Sequence, residues 1–516
     1  MLGQKWHRRI YILFLLLFTI GLSFGKILLS ISLIGMLVNY VTEGNFKSKR
    51  SLFLANQYIL VGLLLIFLIE FIWLIFTNDL SNGLNSLRIK LPLLILPLVI
   101  GTSEPLKAKE WKSILTVFLC SLCVSVLVIF LVKYGVVSSK KNTGSSRDLS
   151  IFMSHIRYSV LLLFGFFLSG YLLLVKKLNK AIALVFVVII VAGLYQLNSF
   201  TSYIAITIAM LFLFLNSLKG VFMRYRLAVI VSFFLLLTAI ALYFNSVYQE
   251  MNTPKIETVN NELPKYSPNG EKYLHDTINN TLENGFYLWR NIAEMELVTA
   301  WNKASNIPFY AFDKRGQEIK YTIYRYMTSM GLRKDANSLS QLRRGDIVRI
   351  ENGETTYLKY NLFEKRLRSL MFEFQQYKHT KNPNNQTLIQ RFFYWKIALK
   401  TFSKHWFFGY GTGGYKEAMS KEYKMTSSIL EIENQKFPHN QFLTQLINLG
   451  FFGFILWLTV LVSPLLYTRI YRNPLCFVFG MLMVVSMLSD DMLERQSGVS
   501  IFSFIYTLFI TQRKDI

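Results

Sequence analysis

Apolar residues occur along the chain in long blocks, and short segments rich in Lys and Arg separate these blocks. A helix needs about 20 apolar residues to cross the hydrocarbon core of a bilayer. With 53% hydrophobic residues among 516, the pattern excludes a soluble globular protein and predicts an all-α polytopic membrane protein with twelve spans. We expect these helices at 10–25, 27–41, 55–76, 88–101, 113–133, 156–175, 181–197, 201–216, 227–245, 440–467, 474–488 and 498–512.

One long polar segment interrupts the apolar pattern. Residues 246–438 contain no block that could span a membrane, and a segment of this length favours an ordered domain over a linker. Most of it shows helical spacing of apolar residues, whereas the pair Asn352-Gly353 predicts a short hairpin. We therefore expect transmembrane helices 1–9 in residues 1–245, a large external, mostly helical domain at 246–438, and helices 10–12 in residues 439–516.

The distribution of positive charge indicates the orientation of the chain. Residues 246–438 carry 28 Lys and Arg against 20 Asp and Glu, whereas the rest of the chain carries 28 against 10, mostly in short loops. With the N-terminus inside, seven cytoplasmic segments hold 19 basic residues and five short outer segments hold nine. Because cytoplasmic loops favour Lys and Arg, we expect both termini inside and the polar domain outside. The excess charge reports topology, so nucleic-acid binding is not expected.

Neither the cysteines nor the acidic residues indicate a metal site. The three cysteines, two of them in a Cys-x-x-Cys pair, all fall in predicted spans, so we expect no redox or disulfide role. Asp490, Asp491 and Glu494 lie between the last two helices, and carboxylates suit hard cations. No second acidic cluster lies on that side, so hydrogen bonding or contacts with an acceptor are favoured. We expect no metal and no cofactor.

The outer ends of the predicted helices collect cations and histidines. Each cation alone is typical of a side chain that anchors a helix at the membrane surface. Together, several cations beside an imidazole suit a phosphate-bearing lipid, since Arg binds phosphate in a bidentate way and Lys supplies a point charge. These candidates are Arg88 and Lys90, which open the fourth helix, His155 and Arg157 in the sixth, Arg391 in an amphipathic stretch, and His439 with Asn440 at the tenth.

His439 is the candidate base. We expect it in the first turn of the tenth helix, where the positive end of the helix dipole disfavours an imidazolium ion. A neutral imidazole at the membrane surface can accept a proton. The alternative is a purely structural role, in which His439 and Asn440 anchor and cap the helix; for Asn440, we expect the capping role.

The segment "PHNQFLTQLINLGFFGFILWL" resembles the signature of the O-antigen ligase and polymerase superfamily, in which His-Asn precedes an apolar helix with Gly-x-x-Gly. Upstream, "RFFYWKIALKTFSKHWFFGYGTGGY" is similar to the Arg-x-x-x-Trp helix and glycine turn of that family. Other segments resemble a Bacteroidetes-type branch. The resemblance extends over about residues 285–512 and is looser over the first nine helices.

The resemblance implies a membrane glycosyltransferase of the bacterial inner membrane. Such an enzyme takes a glycan from undecaprenyl pyrophosphate at the periplasmic face and transfers it to an acceptor hydroxyl, on lipid A-core or another glycan, with inversion and without a metal. By matching motif, His439 would be the base and Arg391 would bind the pyrophosphate. Arg157, Arg88 and Lys90 join the donor site by position alone, and His155, Asn440 and the three carboxylates are candidates for acceptor contacts or structure.

One position departs from the family pattern. Family members often have a Ser-Arg pair after the seventh span, but Phe200 stands where that arginine is expected. Either another cation such as Arg157 takes its place, or the positions do not correspond.

Three alternative functions stay open. A receptor or assembly scaffold would explain the external domain but not the His-Asn pair at the start of a helix. A polymerase of lipid-linked repeat units would share these motifs with a ligase. A transporter or flippase for a lipid-linked glycan would need midplane charges, but Glu70 in the third span stands without a partner in the sequence pattern, so a proton relay is not expected.

The Gly-rich segment 408–416 lacks the Lys-Ser/Thr of a P-loop and predicts a tight turn, with a phosphate-binding nest as the alternative.

Overall fold

The structure is a computed structural model that describes residues 3–138, 149–217, 223–255 and 263–512. The predicted class is confirmed, because the chain is an all-α polytopic membrane protein. In the described residues, nine helices are long and apolar enough to cross a membrane, and three shorter apolar helices complete the predicted twelve. The shorter ones are Phe200–Phe214, Pro474–Met487 and Gln496–Thr511. Residues 218–222 and 513–516, which include parts of two predicted basic segments, and residues 139–148 of the loop 133–157 lie outside the described residues.

The helices are numbered in chain order, and one two-stranded antiparallel hairpin, β1 (Leu282–Glu283) and β2 (Phe286–Tyr287), accompanies them. The first eleven are α1 (Gln4–Phe24), α2 (Lys26–Glu43), α3 (Phe46–Ala55), α4 (Gln57–Ile72), α5 (Leu80–Lys90), α6 (Pro92–Gly101), α7 (Ala108–Lys133), α8 (His155–Leu174), α9 (Lys180–Leu197), α10 (Phe200–Ser217) and α11 (Met223–Asn252). The others are α12 (Glu294–Ala304), α13 (Ile319–Ser329), α14 (Ala336–Leu339), α15 (Arg344–Glu351), α16 (Leu362–Thr380), α17 (Thr387–Lys404), α18 (Tyr415–Met425), α19 (Gln441–Thr468), α20 (Pro474–Met487) and α21 (Gln496–Thr511).

The chain divides into two compact units. In its described part, the first unit consists of residues 3–138, 149–216 and 391–512, and the second of 217, 223–255 and 263–390. These limits differ from the predicted ones at 246 and 438. Helix α11 belongs to the second unit because it packs on α16, and residues 391–438 belong to the first.

The first unit is a helical bundle with a continuous apolar core. Helix α1 packs on α2 and α7, α8 packs on α9 and α20, and α19 packs on α4. Phe18, Leu122 and Phe479 are buried in this core, whereas Ile27 and Leu184 are exposed. Apolar side chains on the outside of a bundle are expected where lipid is the solvent.

The second unit has its own core around Trp301 and Ile350, and here one prediction was wrong. The Asn352-Gly353 pair does not form a hairpin; it follows the C-terminus of α15. Asp346 accepts the backbone N–H of Arg343 at the start of this helix, and Gly353, with φ of 72°, donates to the carbonyl of Ile350 at its end. A glycine with positive φ ends helices as readily as it turns hairpins, so the pair alone did not distinguish the two.

Helix α19 breaks at Gly450, whose φ of 63° and ψ of −175° are not helical. Inside a membrane, the backbone groups freed by such a break need partners from the protein. The glycine turn 408–414 and the residues before it supply them. Tyr410 and Gly411 donate to the carbonyls of Ile447 and Asn448, both at 2.9 Å.

The hydrogen bonds run in both directions between the turn and the break. Phe451 and Phe452 donate their N–H groups to the carbonyls of Trp406 and Phe407, at 2.7 and 3.1 Å. Trp73 of the 3-10 helix after α4 donates its indole N–H to the carbonyls of Phe408 and Leu449, at 2.9 and 3.0 Å. The Gly-rich segment therefore forms a tight turn, as predicted, and its glycines allow backbone to lie against backbone.

We expect Gly450→Ala to destabilise the protein by about 2 kcal/mol or more, because a Cβ would combine a strained φ with collision against backbone. It would lie 2.3 Å from the Phe407 carbonyl oxygen and 2.4 Å from the Gly409 nitrogen. Thermal unfolding of the purified protein in detergent measures the effect. Gly480→Ala in α20 is the control, since a Cβ there meets open space. Equal midpoints for the two variants would contradict this account of the break.

Candidate active site

His439 lies directly before α19 and not in its first turn, which corrects the expected position. The helix begins at Gln441, and Asn440 is its N-cap. The side-chain oxygen of Asn440 accepts the backbone N–H groups of Phe442 and Leu443, so its predicted capping role is confirmed. The backbone of His439 has φ of 47°, a left-handed conformation that is uncommon for a non-glycine residue. Its side chain is 39% exposed.

Asp490 lies beside His439 in the segment between α20 and α21. Its Oδ1 is 3.9 Å from Nδ1 of His439, and its Oδ2 forms an ion pair with Arg157 of α8 at 2.8 Å. Burial alone would raise the pKa of Asp490, but His439 and the Arg157 guanidinium hold it below its usual value. Asp490 is therefore a buried carboxylate between an imidazole and a guanidinium.

Asp491 connects the same segment to the start of α19. Its Oδ1 accepts the backbone N–H of Asn440 at 3.2 Å and the hydroxyl of Thr444 at 2.7 Å. Burial raises the pKa of Asp491 to about 6, although the Thr444 hydrogen bond and His439 oppose this shift. The two neighbouring carboxyl groups thus have different partners: Asp490 lies beside the His439 imidazole, and Asp491 accepts the backbone N–H of Asn440, the residue after His439.

Helix α17 places Arg391 on the same side of the site. The indole of Trp395 donates to the carbonyl of Pro438 at 3.0 Å, which fixes the helix beside the residue before His439. The Tyr394 and His439 ring centroids are 6.1 Å apart. Arg391 precedes Trp395 by four residues, so both lie on one helix face. Burial raises the pKa of Tyr394 to about 12, and the positive charge of Arg391 opposes the shift.

Below His439, helix α19 carries a polar stripe that sequence reasoning missed. Gln441, Thr444, Gln445 and Asn448 are all fully buried, with no exposed surface, in an otherwise apolar helix. Their spacing of three and four residues places them on one face. The spacing is present in "NQFLTQLINLG", but the apolar residues between the polar ones give the segment the pattern of an ordinary membrane span. Gln441 accepts the backbone N–H of Leu493, and Gln445 donates to Glu70.

Lys90 lies in a buried ion-pair network, not at a surface. Its ammonium is 2.7 Å from Oε1 of Glu70 and 2.7 Å from Oε1 of Glu494, and its side chain has no exposed area. Glu494 also accepts the Ser86 hydroxyl, and Glu70 accepts the Thr412 hydroxyl. The expectation that Glu70 stands alone was wrong, because its partner comes from the next span. Two buried carboxylates already neutralise the charge of Lys90, so Lys90 is not available to bind a phosphate at the surface.

The remaining predicted site residues lie around this centre. Arg88 is exposed and bonds Asn85 of its own helix. His155 begins α8, two residues before Arg157. Phe200 begins α10, where the neighbouring Thr201 hydroxyl contacts Ser489 at 3.3 Å. Arg157 therefore reaches from α8 into the segment that the start of α10 also contacts.

The three carboxylates predicted as a cluster do not converge on one point. Asp490 faces His439 and Arg157, Asp491 faces the start of α19, and Glu494 faces Lys90. In the part of the chain that the structure describes, no group of three or more His, Cys, Asp or Glu residues could hold a metal ion.

The fold defines a multi-pass membrane protein whose candidate base is set at the start of a broken helix. Residues 347–458 match the family described as O-antigen ligase, which confirms the predicted resemblance to the ligase and polymerase superfamily in this segment. The matched residues include α17, the glycine turn, His439 and the break at Gly450.

A curated protein of Haemophilus influenzae, described as uncharacterized, is 29% identical over 134 residues. The alignment covers 24% of this chain and 33% of that protein, so the chain matches about a third of the length of this relative.

We expect Lys90→Met to destabilise the protein by about 3–5 kcal/mol, because it leaves buried carboxylates without a counter-charge. Arg88→Met, two residues away on an exposed side chain, is the matched control and should have little effect. Combining Lys90→Met with Glu70→Gln and Glu494→Gln should recover much of the loss, since no buried charge then remains unpaired. Thermal unfolding in detergent checks all three, and a triple variant no better than Lys90→Met would show that packing, not charge, was lost.

Proposed function

We propose that this protein transfers a glycan from an undecaprenyl-pyrophosphate donor to an acceptor hydroxyl, with His439 as the general base. The observation that carries the proposal is the half-exposed His439 beside the buried Asp490, within the segment that matches the O-antigen ligase family. The acceptor is lipid A-core or another glycan. Consistent with the charge distribution, the reaction takes place at the periplasmic face of a bacterial inner membrane, with both termini in the cytoplasm.

Asp490 determines which nitrogen of His439 accepts the proton. Their separation of 3.9 Å exceeds a hydrogen bond, so in this proposal the half-exposed imidazole turns toward the carboxylate to form one. With Nδ1–H directed at the carboxylate, Nε2 carries the lone pair and faces away. The carboxylate also stabilises the imidazolium that forms when Nε2 takes a proton. This is the arrangement of a base held by a third group.

The transfer itself needs one proton acceptor and a stabilised leaving group. His439 takes the proton of the acceptor hydroxyl while the acceptor oxygen forms a bond to the anomeric carbon. The bond from that carbon to the phosphate oxygen breaks, and its electron pair leaves with the pyrophosphate. Direct displacement inverts the configuration at the anomeric carbon.

In this proposal, Arg391 and Arg157 neutralise the pyrophosphate. Arg391 lies on the helix face that contacts residues 438 and 439, and guanidinium groups bind phosphate in a bidentate way. Arg157 forms an ion pair with Asp490, and its buried Nε has no hydrogen-bond partner among the described residues. In this proposal Arg157 takes the place of the arginine missing at Phe200. Arg88 is a contact at the rim, and Lys90 supports the site from within.

We expect His439→Ala to reach the membrane at the parental level and to lower glycan transfer at least about 100-fold, since a positioned base contributes this much or more. Lipid-linked donor should accumulate in these cells. Electrophoresis of surface polysaccharide and quantification of the lipid-linked pool measure both effects. His379→Ala, on α16 in the second unit, is the matched control. Parental transfer by His439→Ala would remove His439 from the reaction.

The same electrophoresis separates the two members of the superfamily. Loss of all attached chains indicates a ligase, whereas chains shortened to a single repeat unit indicate a polymerase. If the protein is instead a transporter of lipid-linked glycan, its inactivation leaves the donor on the cytoplasmic side of the membrane.

Arg391→Ala should reduce transfer about 10- to 100-fold, the value of charge-assisted hydrogen bonds to a phosphate. Arg391→Lys should recover little, because an ammonium cannot form the bidentate contact. Transfer at a series of donor concentrations measures the loss, and Lys396→Ala, an exposed lysine on the same helix, is the control. Full activity in Arg391→Lys would show that charge alone is needed.

A further inference from the structure

A large apolar cavity lies at the far end of the first unit from His439. It has a volume of about 780 Å³ and is formed by α1, α7, α8, α20 and α21. Helix α8 shows the separation: Arg157 is in its first turn at the candidate site, whereas Leu172 lines the cavity. Fifteen residues separate them, or about 22 Å along the helix. Likewise Leu475 lines the cavity at the start of α20, and Asp490 follows the end of that helix.

The walls of the cavity suit hydrocarbon. Phe118, Phe164, Leu168 and Phe509 line it, together with other aliphatic side chains. A cavity of this size and composition within a membrane protein is within reach of lipid chains, which are as apolar as its walls.

The rim of the cavity is basic. Lys112 comes from α7, and Lys176 and Lys177 follow the C-cap residue of α8; all three are exposed and line the cavity. Lys176 has φ of 55°, a left-handed conformation that costs energy for a non-glycine residue, and it turns the chain so that both lysines follow the helix end. No acidic residue is among the lining residues that the structure describes. The nearby Glu110 is paired with Arg8.

One buried polar group in the cavity wall has no partner. Trp111 lines the cavity and is 6% exposed, and its indole N–H makes no hydrogen bond in the described structure. A buried donor without a partner costs about 1–3 kcal/mol, so an acceptor atom is missing here. A phosphate oxygen of a lipid would supply it, while the three lysines neutralise the charge.

We propose that this cavity binds an anionic glycerophospholipid, with its chains between the helices and its phosphate against Trp111, Lys112, Lys176 and Lys177. The orientation from the charge distribution places this end at the cytoplasmic leaflet, whose negative lipids attract clusters of lysine. The site is separate from the proposed donor site, which lies at the opposite helix ends. Its role is to hold a structural lipid in the bundle.

The experiment is native mass spectrometry of the full-length protein in detergent with added palmitoyl-oleoyl phosphatidylglycerol. We expect one tightly held phosphatidylglycerol on the parent. Lys112→Gln combined with Lys176→Gln and Lys177→Gln should weaken its binding at least about tenfold. The control variant carries Lys47→Gln, Lys109→Gln and Lys180→Gln, which remove the same charge from exposed lysines outside the cavity lining, and it should bind like the parent.

Trp111→Phe tests the indole donor separately, because it retains the ring and removes the N–H. It should weaken phosphatidylglycerol binding without changing the binding of a diacylglycerol with the same chains. Equal binding of phosphatidylglycerol by the parent and the cavity-lysine variant would overturn the proposal. It would also be overturned if phosphatidylcholine bound equally well, or if undecaprenyl phosphate displaced phosphatidylglycerol in competition.

Discussion

The break in α19 at Gly450 is the constraint on which the architecture of the site depends. A helix interrupted inside a membrane exposes backbone groups that lipid cannot satisfy. Here four hydrogen bonds from residues 406–411 replace those that the helix loses. The replacement works only if two backbones touch, and this explains glycines at both Gly409 and Gly450, where a Cβ would lie within 2.4 Å of the opposite backbone. The turn thereby fixes α17 and α18 against α19.

A second set of interactions fixes the other side of α19. Its buried polar stripe bonds Glu70 and the backbone at Leu493, and Lys90 connects Glu70 to Glu494. The segment from Asp490 to Glu494 is thus held by buried polar contacts at both ends. Burying so many polar groups in a bundle is costly unless each is paired. The half-exposed imidazole of His439 lies on this network, next to the carboxylate of Asp490, which Arg157 holds by an ion pair.

Much of the fold was predictable because the bilayer imposes a length on every apolar block, and all twelve blocks became helices. The cap at Asn440 was predictable because it depends on local sequence alone. Lys90 and Glu70 were not, since each looked like a separate charge until the packing of α4 against α5 paired them. The hairpin predicted at Asn352-Gly353 was wrong for a local reason: a glycine with positive φ can end a helix as well as turn a hairpin. His439 and Asp490 are 51 positions apart in the sequence, and no local sequence pattern near either residue predicts that their side chains lie together.

The indole of Trp73 has a consequence for the order in which the chain assembles. Its two hydrogen bonds reach residues 335 and 376 positions later, to Phe408 and Leu449. Trp73 enters the membrane early in synthesis, yet its partners do not exist until most of the chain has been translated. The third span must therefore wait in the bilayer with its N–H unmet, or met by a temporary partner. Only after α19 inserts can these hydrogen bonds form, so the surroundings of His439 are completed late in the synthesis of the chain.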